Sequence, residues 1–290
     1  MEKAKAAIKM TRFYTTHIYI ATVISAAFLA GNFDFIKIAL MCVSVCTVLF
    51  FVNVTNFYTD SDQDQLHPMT KSENPFISNI LGKKDMLLIS SFYLAVSVLA
   101  AIPLGLLWVF AVLIYNLIAY AYNFKPFRMK GKPYGWFLDA SLSLPLTFLF
   151  PYMVSSRTII FPSWVVAAMV LFYATFAMVV SKDIPDMVAD ESAHDRTFPG
   201  VYGLKATRNL MVVFSLLALG SFVALALMGV VSTYSLPLMA LLTLWILRNI
   251  APEERLKDRI SVYLKLCVLG IFLIPAVFLF GIVARIFYAL

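Results

Sequence analysis

The stretch Asn53–Asp64 combines carboxylate and amide side chains at helical spacing, directly after a long apolar run. Residues four apart on an α-helix share one face and lie about 6 Å apart along its axis. Asn56, Asp60 and Asp64 therefore form one oxygen-rich stripe, whereas Asp62 points to a different face. Crowded carboxylates repel each other unless cations lie between them, and Mg²⁺ prefers oxygen ligands. The stripe therefore predicts a Mg²⁺ site.

A second acidic cluster, further along the chain, repeats this spacing. Asp186 and Asp190 are four residues apart, and Asp183 falls on the same face three residues before Asp186. If the two clusters face one cavity, they would hold Mg²⁺ between them. Because Mg²⁺ keeps coordination positions open for phosphate oxygens, such a site would bind a phosphate-bearing substrate. The candidate metal ligands are Asn56, Asp60, Asp64, Asp183, Asp186 and Asp190.

A basic loop lies between the two acidic clusters along the chain, in the sequence AYNFKPFRMKGKPYG. The guanidinium group of Arg128 can donate to two oxygens at once, and Lys125 and Lys130 supply point charges. These three side chains would complete a clamp for a diphosphate group. Short cytoplasmic loops of membrane proteins are also basic for topology alone, so the loop by itself leaves both interpretations open.

The composition predicts an integral membrane protein. Hydrophobic residues make up 61% of the 290 residues, and charged residues only 13%. Soluble domains of this size are not so apolar. The net charge of +7 could otherwise indicate nucleic-acid binding, but the cations concentrate in short segments between apolar runs, as membrane topology requires. We therefore expect membrane lipid around the protein and no nucleic-acid partner.

Apolar runs near the length needed to cross a bilayer recur along the whole chain. The predicted spans are 14–31, 35–58, 85–103, 104–122, 135–154, 159–181, 209–230, 232–251 and 261–288. Most Lys and Arg residues lie in five segments: the amino-terminal segment and the loops after spans two, four, six and eight. With nine spans, these five segments fall on one side, which the positive-inside rule places in the cytoplasm. The expected fold is an all-α polytopic membrane protein, with nine transmembrane helices bundled around a central cavity. We expect a single domain over residues 1–290, in the cell membrane, with the active site on the cytoplasmic side.

The two acidic motifs resemble those of the UbiA superfamily of intramembrane prenyltransferases. That family has nine spans, an Asn-x3-Asp-x3-Asp motif after span two and an Asp-x3-Asp motif after span six. In this chain the first motif is Asn56-x3-Asp60-x3-Asp64 and the second is Asp186-x3-Asp190. The string KDIPD, residues 182–186, is similar to the branch that includes homogentisate prenyltransferases and chlorophyll synthases. The resemblance covers the whole architecture.

The resemblance implies roles for individual residues. It implies these catalytic residues: Asn56, Asp60, Asp64, Asp186 and Asp190. It implies these diphosphate-binding residues: Lys71, Tyr122, Lys125, Arg128, Lys130, Lys182 and Arg196. The chain departs from the family at Phe57, where the family has an aspartate, and at Asn74-Pro75, where the family has Arg-Pro. Lys71 is expected to supply the missing cation.

The reaction that the resemblance implies is Mg²⁺-dependent transfer of a polyprenyl group. The group would pass from an allylic polyprenyl diphosphate donor to a lipophilic acceptor, with release of diphosphate. Metal and cationic side chains would stabilise the charge that develops as the C–O bond breaks, and a water-poor chamber would protect the allylic cation. The KDIPD string favours an aromatic acceptor, and the alternative is a carotenoid or other isoprenoid lipid. Within such a family the acceptor could be a hydroxybenzoate, homogentisate, a naphthoate, a chlorin, a glycerol-lipid ether precursor or a carotenoid.

Two other classes of membrane protein also use acidic sites. In cation-coupled transporters these sites usually lie near the bilayer midplane in broken helices, whereas the acids here lie at the ends of spans. The transporter is the non-enzyme alternative. CDP-alcohol phosphotransferases carry an Asp-Gly-x2-Ala-Arg signature, which this sequence lacks.

Overall fold

Apolar α-helices make up most of the regular structure. The computed structural model describes residues 2–65, 71, 74–135, 142–156, 160–173, 183–184, 187, 190–191, 195–250 and 271–288. The helices are α1 (Glu2–Met10), α2 (His17–Leu29), α3 (Phe35–Thr59), α4 (Ser61–Asp64), α5 (Lys83–Ala101), α6 (Leu106–Asn123), α7 (Leu142–Ser156), α8 (Phe161–Tyr173), α9 (Phe198–Leu227), α10 (Leu236–Ile250) and α11 (Ile271–Tyr288). Because these ranges contain no strand, the predicted all-α fold is confirmed.

Each of the nine predicted spans contains one helix within the described ranges, namely α2, α3 and α5 to α11. Four of these helices, α3, α5 with the turn that follows it, α6 and α9, are long and apolar enough to cross a membrane. Helix α2 is shorter, with 13 residues, below the ~20 that a bilayer requires. The arrangement is compatible with nine spans, and the number of crossings stays a prediction.

Contacts between neighbouring helices close the bundle into a ring. The packing runs from α2 through α3, α6, α7, α8, α9, α10 and α11, and α11 returns to α2. Helix α5 packs against α3 and α6, and α7 also contacts α2. Buried side chains form one large cluster around Phe222 and a second around Trp108, both fully buried. Since lipid is as apolar as these side chains, close packing of this kind is what associates helices in a membrane.

Helix α3 carries the first acidic motif at its carboxyl end. Its amino end is capped by Asp34, whose carboxylate accepts the Lys37 backbone N–H at 3.1 Å, a hydrogen bond that lowers the pKa of Asp34. The helix ends at Thr59, and Asp60 leaves it with φ −101° and ψ 5°. The Asp60 N–H nevertheless bonds Asn56 O at 2.9 Å, and Asp64 N–H bonds Asp60 O at 2.8 Å. The predicted four-residue register is therefore kept through the bend into α4.

The span boundaries predicted from hydropathy agree with the structure at one helix end and differ from it at another. The predicted junction between spans three and four is confirmed: residues 102–104 form a 3₁₀ turn, and Gly105 has φ +94°. The predicted start of span seven at residue 209 is wrong, because α9 begins at Phe198. Its first turns carry Lys205 and Arg208, which lower the local hydropathy, and Gly203 interrupts the helix with φ +80°.

The sequence did not predict the amino-terminal helix α1, which packs at the same end as the acidic motif. Lys3 donates to both carboxylate oxygens of Asp85 at 3.0 Å, joining α1 to α5. Asn53 of α3 donates to Thr11 O at 2.7 Å. Met10 is fully buried against residues of α3 and α5. These contacts place the amino-terminal segment beside the end of α3 that carries the motif.

Candidate active site

Lys130, from the loop after α6, lies against the end of α3. Its ammonium group donates to Asn56 Oδ1 at 3.1 Å and to Thr59 Oγ1 at 2.7 Å. It also forms an ion pair with Asp60 Oδ1, and its side chain is only 7% exposed. Three oxygens of the first motif region therefore converge on one buried cation.

Arg128 connects the first motif to the segment before α9. Its guanidinium group donates to Asp195 Oδ2 at 3.1 Å and to Thr59 O at 3.2 Å, and lies 3.6 Å from Asp60 Oδ1. Its side chain is 23% exposed, so water screens these pairs less than it would screen pairs at the surface. Two carboxylates, on segments that are distant in the sequence, thus share one guanidinium group.

The loop after α6 and the segment before α9 also pack backbone to backbone. Arg196 N–H donates to Gly131 O at 2.9 Å. A Cβ at residue 131 would lie 2.2 Å from Asp195 Oδ1, so only glycine allows this approach. The tyrosine hydroxyls of Tyr134 and Tyr202 hydrogen-bond to each other. The predicted basic loop is therefore one wall of the site.

Asp64 is held by a residue that the sequence did not single out as functional. Asn74 Nδ2 donates to Asp64 Oδ2 and to Phe57 O, each at 2.7 Å. Asn74 was noted in the sequence only as a departure from the family pattern. Thr59 and Asp195 were likewise absent from the predicted site. Sequence spacing could not have identified any of the three, because their contacts depend on how separate segments meet.

Phe57 occupies the position at which the family has an acid. The side chain is 3% exposed and packs with Val54, Leu81 and Met86. The guanidinium carbon of Arg12 lies 4.5 Å from the centre of its ring, within range of a cation–π contact. At this position, therefore, the chain has a packing residue in place of a ligand.

The remaining predicted site residues divide by exposure. Asp183 and Asp190 are partly buried, and Asp190 O accepts the Asp195 N–H at 2.9 Å. Tyr122 is 9% exposed. Lys71, Lys125 and Arg196 are exposed to solvent. Asp186 and Lys182 lie outside the described residues. The metal-binding roles of these aspartates and the diphosphate-binding roles of the other residues stay predictions.

A small cavity of about 30 Å³ lies deeper in the bundle, on the face of α3 that carries Asn56. Its α3 lining includes Val52, Val48 and Val45, which precede Asn56 by 4, 8 and 11 residues. Leu49 of α3 also lines it, and the other lining residues are Tyr19 of α2, Tyr115, Ile118 and Ala119 of α6, and Ser143 and Thr147 of α7. The lining is mainly apolar. The face of α3 that carries Asn56 therefore borders this cavity, the apolar chamber.

The oxygens at the end of α3 suit a hard cation. Lys130 shows that Asn56, Thr59 and Asp60 direct oxygens at one point of positive charge, and oxygen donors are those that Mg²⁺ prefers. Across the described ranges, no three His, Cys, Asp or Glu side chains lie close enough together to hold a metal ion. The first motif therefore fits Mg²⁺ as one part of a larger ligand set. Asp186 of the second motif lies outside the described residues.

A model of the UbiA prenyltransferase family matches residues 19–268. The chain belongs to the UbiA prenyltransferase family. Digeranylgeranylglyceryl phosphate synthase of Methanothermobacter thermautotrophicus is 26% identical over 254 residues, 87% of this chain and 86% of that protein. The prediction made from the two acidic motifs is thus confirmed at the level of the family.

Solved structures share the fold of this UbiA family member. A UbiA homologue from Archaeoglobus fulgidus, bound to DMAPP and Mg²⁺, superposes with a TM-score of 0.72 at 17% identity, covering 97% of this chain and 98% of that one. The apo structure of a homologue from Aeropyrum pernix K1 gives 0.74 at 19% identity, covering 95% and 99%. Members of this family are integral membrane prenyltransferases, and the transporter alternative is set aside.

Proposed function

We propose that this protein transfers a polyprenyl group from an allylic polyprenyl diphosphate to a lipophilic acceptor, with release of diphosphate, and that the reaction requires Mg²⁺. The observation that carries this proposal is the contact of Lys130 and Arg128 with Asp60. Acidic side chains for metal and basic side chains for phosphate meet at one end of the bundle, next to an apolar chamber. The solved homologue from Archaeoglobus fulgidus, with DMAPP and Mg²⁺ bound, supports the choice of donor and metal.

The residues that would hold Mg²⁺ are Asn56, Asp60, Asp64, Asp183, Asp186 and Asp190. When bound, Mg²⁺ neutralises the diphosphate and stabilises the charge that gathers on it as the allylic C–O bond breaks. The two acidic motifs therefore position the leaving group. The electron pair of the broken bond stays with diphosphate, and an acceptor atom bonds the allylic carbon and loses its proton.

Lys130 and Arg128 would exchange one anionic partner for another during the cycle. Without donor, their charges are paired with Asp60 and Asp195. Charge-assisted hydrogen bonds to diphosphate oxygens are as favourable as those to carboxylates, so the two cations can turn to the donor. That exchange would leave Asp60 available for the metal. The cationic loop thus keeps Asp60 neutralised until the donor arrives, while the other carboxylates of the two motifs are left to bind metal beforehand.

The apolar chamber below Asn56 would hold the isoprenoid tail. Val45 lies 11 residues before Asn56, and at 1.5 Å per helical residue this is about 16 Å of depth. Three backbone bonds advance about 3.8 Å, so the four bonds of an extended isoprene unit advance about 5 Å. The depth thus corresponds to about three isoprene units. Because the cavity itself has a volume of only about 30 Å³, the surrounding helices would have to move apart to admit them. Longer tails would bend or leave the bundle into lipid.

For the acceptor we propose a glycerol lipid phosphate that carries a free hydroxyl group. This choice is supported by the relative from Methanothermobacter thermautotrophicus, which is a digeranylgeranylglyceryl phosphate synthase and aligns with 87% of this chain. An aromatic acceptor, which the KDIPD string favours, is the second candidate. A carotenoid or other isoprenoid lipid is the third.

The test combines donors and acceptors in one experiment. Purified protein in lipid nanodiscs is incubated with Mg²⁺ and with geranyl, farnesyl or geranylgeranyl diphosphate. Each donor is paired with geranylgeranylglyceryl phosphate, homogentisate or a carotenoid, and products are identified by mass while diphosphate release is measured. We expect a prenylated glycerol lipid phosphate. Product with homogentisate alone would reverse the choice of acceptor, and the absence of diphosphate release from every pair would contradict the proposed reaction.

A further inference from the structure

Asn74 lies in the segment between α4 and α5 and is almost completely buried, with 1% of its surface exposed. Its amide nitrogen donates to Asp64 Oδ2 and to Phe57 O, both at 2.7 Å, and its amide oxygen accepts the Phe76 N–H at 3.0 Å. An asparagine amide has two N–H donors and one carbonyl oxygen. Both donors are thus used, and only one orientation of the amide satisfies all three contacts.

These contacts join the two parts of the first motif. The Phe57 carbonyl is one of the last four of α3, which have no partner within a helix that ends at Thr59. Asn74 satisfies this carbonyl with one N–H and Asp64 with the other. The end of α3 and the carboxylate of α4 are therefore held at a set separation by one rigid, neutral group.

We propose that Asn74 is a positioning residue that orients Asp64 toward the Mg²⁺ ion of the proposed reaction. The inference rests on the proposed function, because it needs Asp64 to be a metal ligand. Hydrogen bonds from outer residues hold ligating carboxylates in orientation, and losing such a partner typically costs about 10- to 100-fold in metal affinity. The loss expected for Asn74 lies in this range.

The neutrality of Asn74 matters as much as its geometry. A cation hydrogen-bonded to Asp64 would compete with Mg²⁺ for the same negative charge. A neutral amide fixes the carboxylate without cancelling its charge. Lys71, expected from the sequence to supply a cation nearby, is exposed. Asn74 thus supplies Asp64 with an oriented, uncharged contact.

The test measures metal binding directly, without turnover. Mn²⁺, a paramagnetic substitute for Mg²⁺, is titrated into donor-free protein in detergent and followed by electron paramagnetic resonance. Asn74→Ala removes all three hydrogen bonds, and Asn74→Leu removes them while keeping a branched side chain of similar shape. We expect both to bind Mn²⁺ about 10- to 100-fold more weakly than wild type. The matched control is Asn53→Ala, which loses one amide-to-carbonyl hydrogen bond to Thr11 elsewhere on α3 and should keep wild-type affinity.

Activity separates positioning from a general structural role. The Mg²⁺ concentration for half-maximal activity should rise in Asn74→Ala, while kcat at saturating Mg²⁺ recovers. Wild-type Mn²⁺ affinity in both Asn74→Ala and Asn74→Leu would overturn the inference and leave the proposed function standing. Tighter binding in Asn74→Asp would place residue 74 among the ligands and also overturn it. If wild-type protein itself bound no Mn²⁺, the proposed metal site would be wrong, and the role of Asn74 with it.

Discussion

The ammonium group of Lys130 donates a hydrogen bond to Asn56 Oδ1 at 3.1 Å, so one cation bridges the loop after α6 and the end of α3. The same group pairs with Asp60. Since the Lys130 side chain is 7% exposed, little water screens these contacts. The site therefore carries its own counter-charge, and binding of metal and donor has to redistribute charge that is already paired.

Asp60→Asn should abolish turnover while the protein stays folded. Asparagine keeps the shape of aspartate but removes the charge that pairs with Lys130 and that we propose holds Mg²⁺. Loss of a group that stabilises developing charge typically costs about 100- to 1,000-fold in kcat. Diphosphate release with the best donor and acceptor pair is the measurement, and thermal unfolding in detergent reports whether the fold is kept.

The control for Asp60→Asn is Asp62→Asn, which makes the same chemical change two residues away. Asp62 is exposed, as its position off the helical stripe predicts. We expect near wild-type turnover from this variant. Equal losses in both variants would show that net negative charge at this end of the bundle matters and that the position of Asp60 does not.

Lys130→Ala should raise the KM for the prenyl diphosphate by about 10- to 100-fold, since a hydrogen bond to a charged group contributes about 1.5–3 kcal/mol. Steady-state kinetics with varied donor concentration measures the change. Lys132→Ala is the matched control, because Lys132 belongs to the same loop but is exposed. If Lys132→Ala raised the KM as much, the loop would act through its overall charge, and the position of Lys130 would have no specific role in donor binding.

The all-α fold and the stripe from Asn56 to Asp64 could be predicted because each depends on local periodicity, and the family could be predicted from the resemblance of its two acidic motifs. Apolar runs follow from the length of a bilayer crossing, and four-residue spacing follows from the helix itself. Even the bend at Asp60 did not break this register, because the backbone hydrogen bonds continue through it.

The contacts that complete the site could not be predicted in the same way. Asn74 reaches Asp64 from a separate segment, and Arg128 reaches Asp195 across 67 positions of the sequence. Such pairs depend on how segments pack, which no spacing rule encodes. The packing role of Phe57 could not be predicted either: the sequence marks it only as a departure from the family, and the structure shows a buried residue beneath Arg12.

Removal of divalent metal should abolish prenyl transfer, and Mg²⁺ or Mn²⁺ should restore it. Ca²⁺ should restore less, because it prefers longer metal–oxygen distances and more ligands than Mg²⁺. The measurement is product formation after treatment with a chelator, followed by addition of each ion in turn. Full activity in the chelator would contradict the metal role of both acidic motifs.

Tyr115→Ala should shift the donor preference toward longer prenyl chains. Tyr115 is 5% exposed and lines the apolar cavity that we propose for the tail. Removing its ring lengthens the space available, so kcat/KM for geranylgeranyl diphosphate should rise relative to that for geranyl diphosphate. The control is Tyr120→Ala on the same helix, because Tyr120 is 44% exposed and outside that lining. A uniform loss for all donors in Tyr115→Ala would assign this ring to packing of the bundle, and the tail would then have to lie elsewhere.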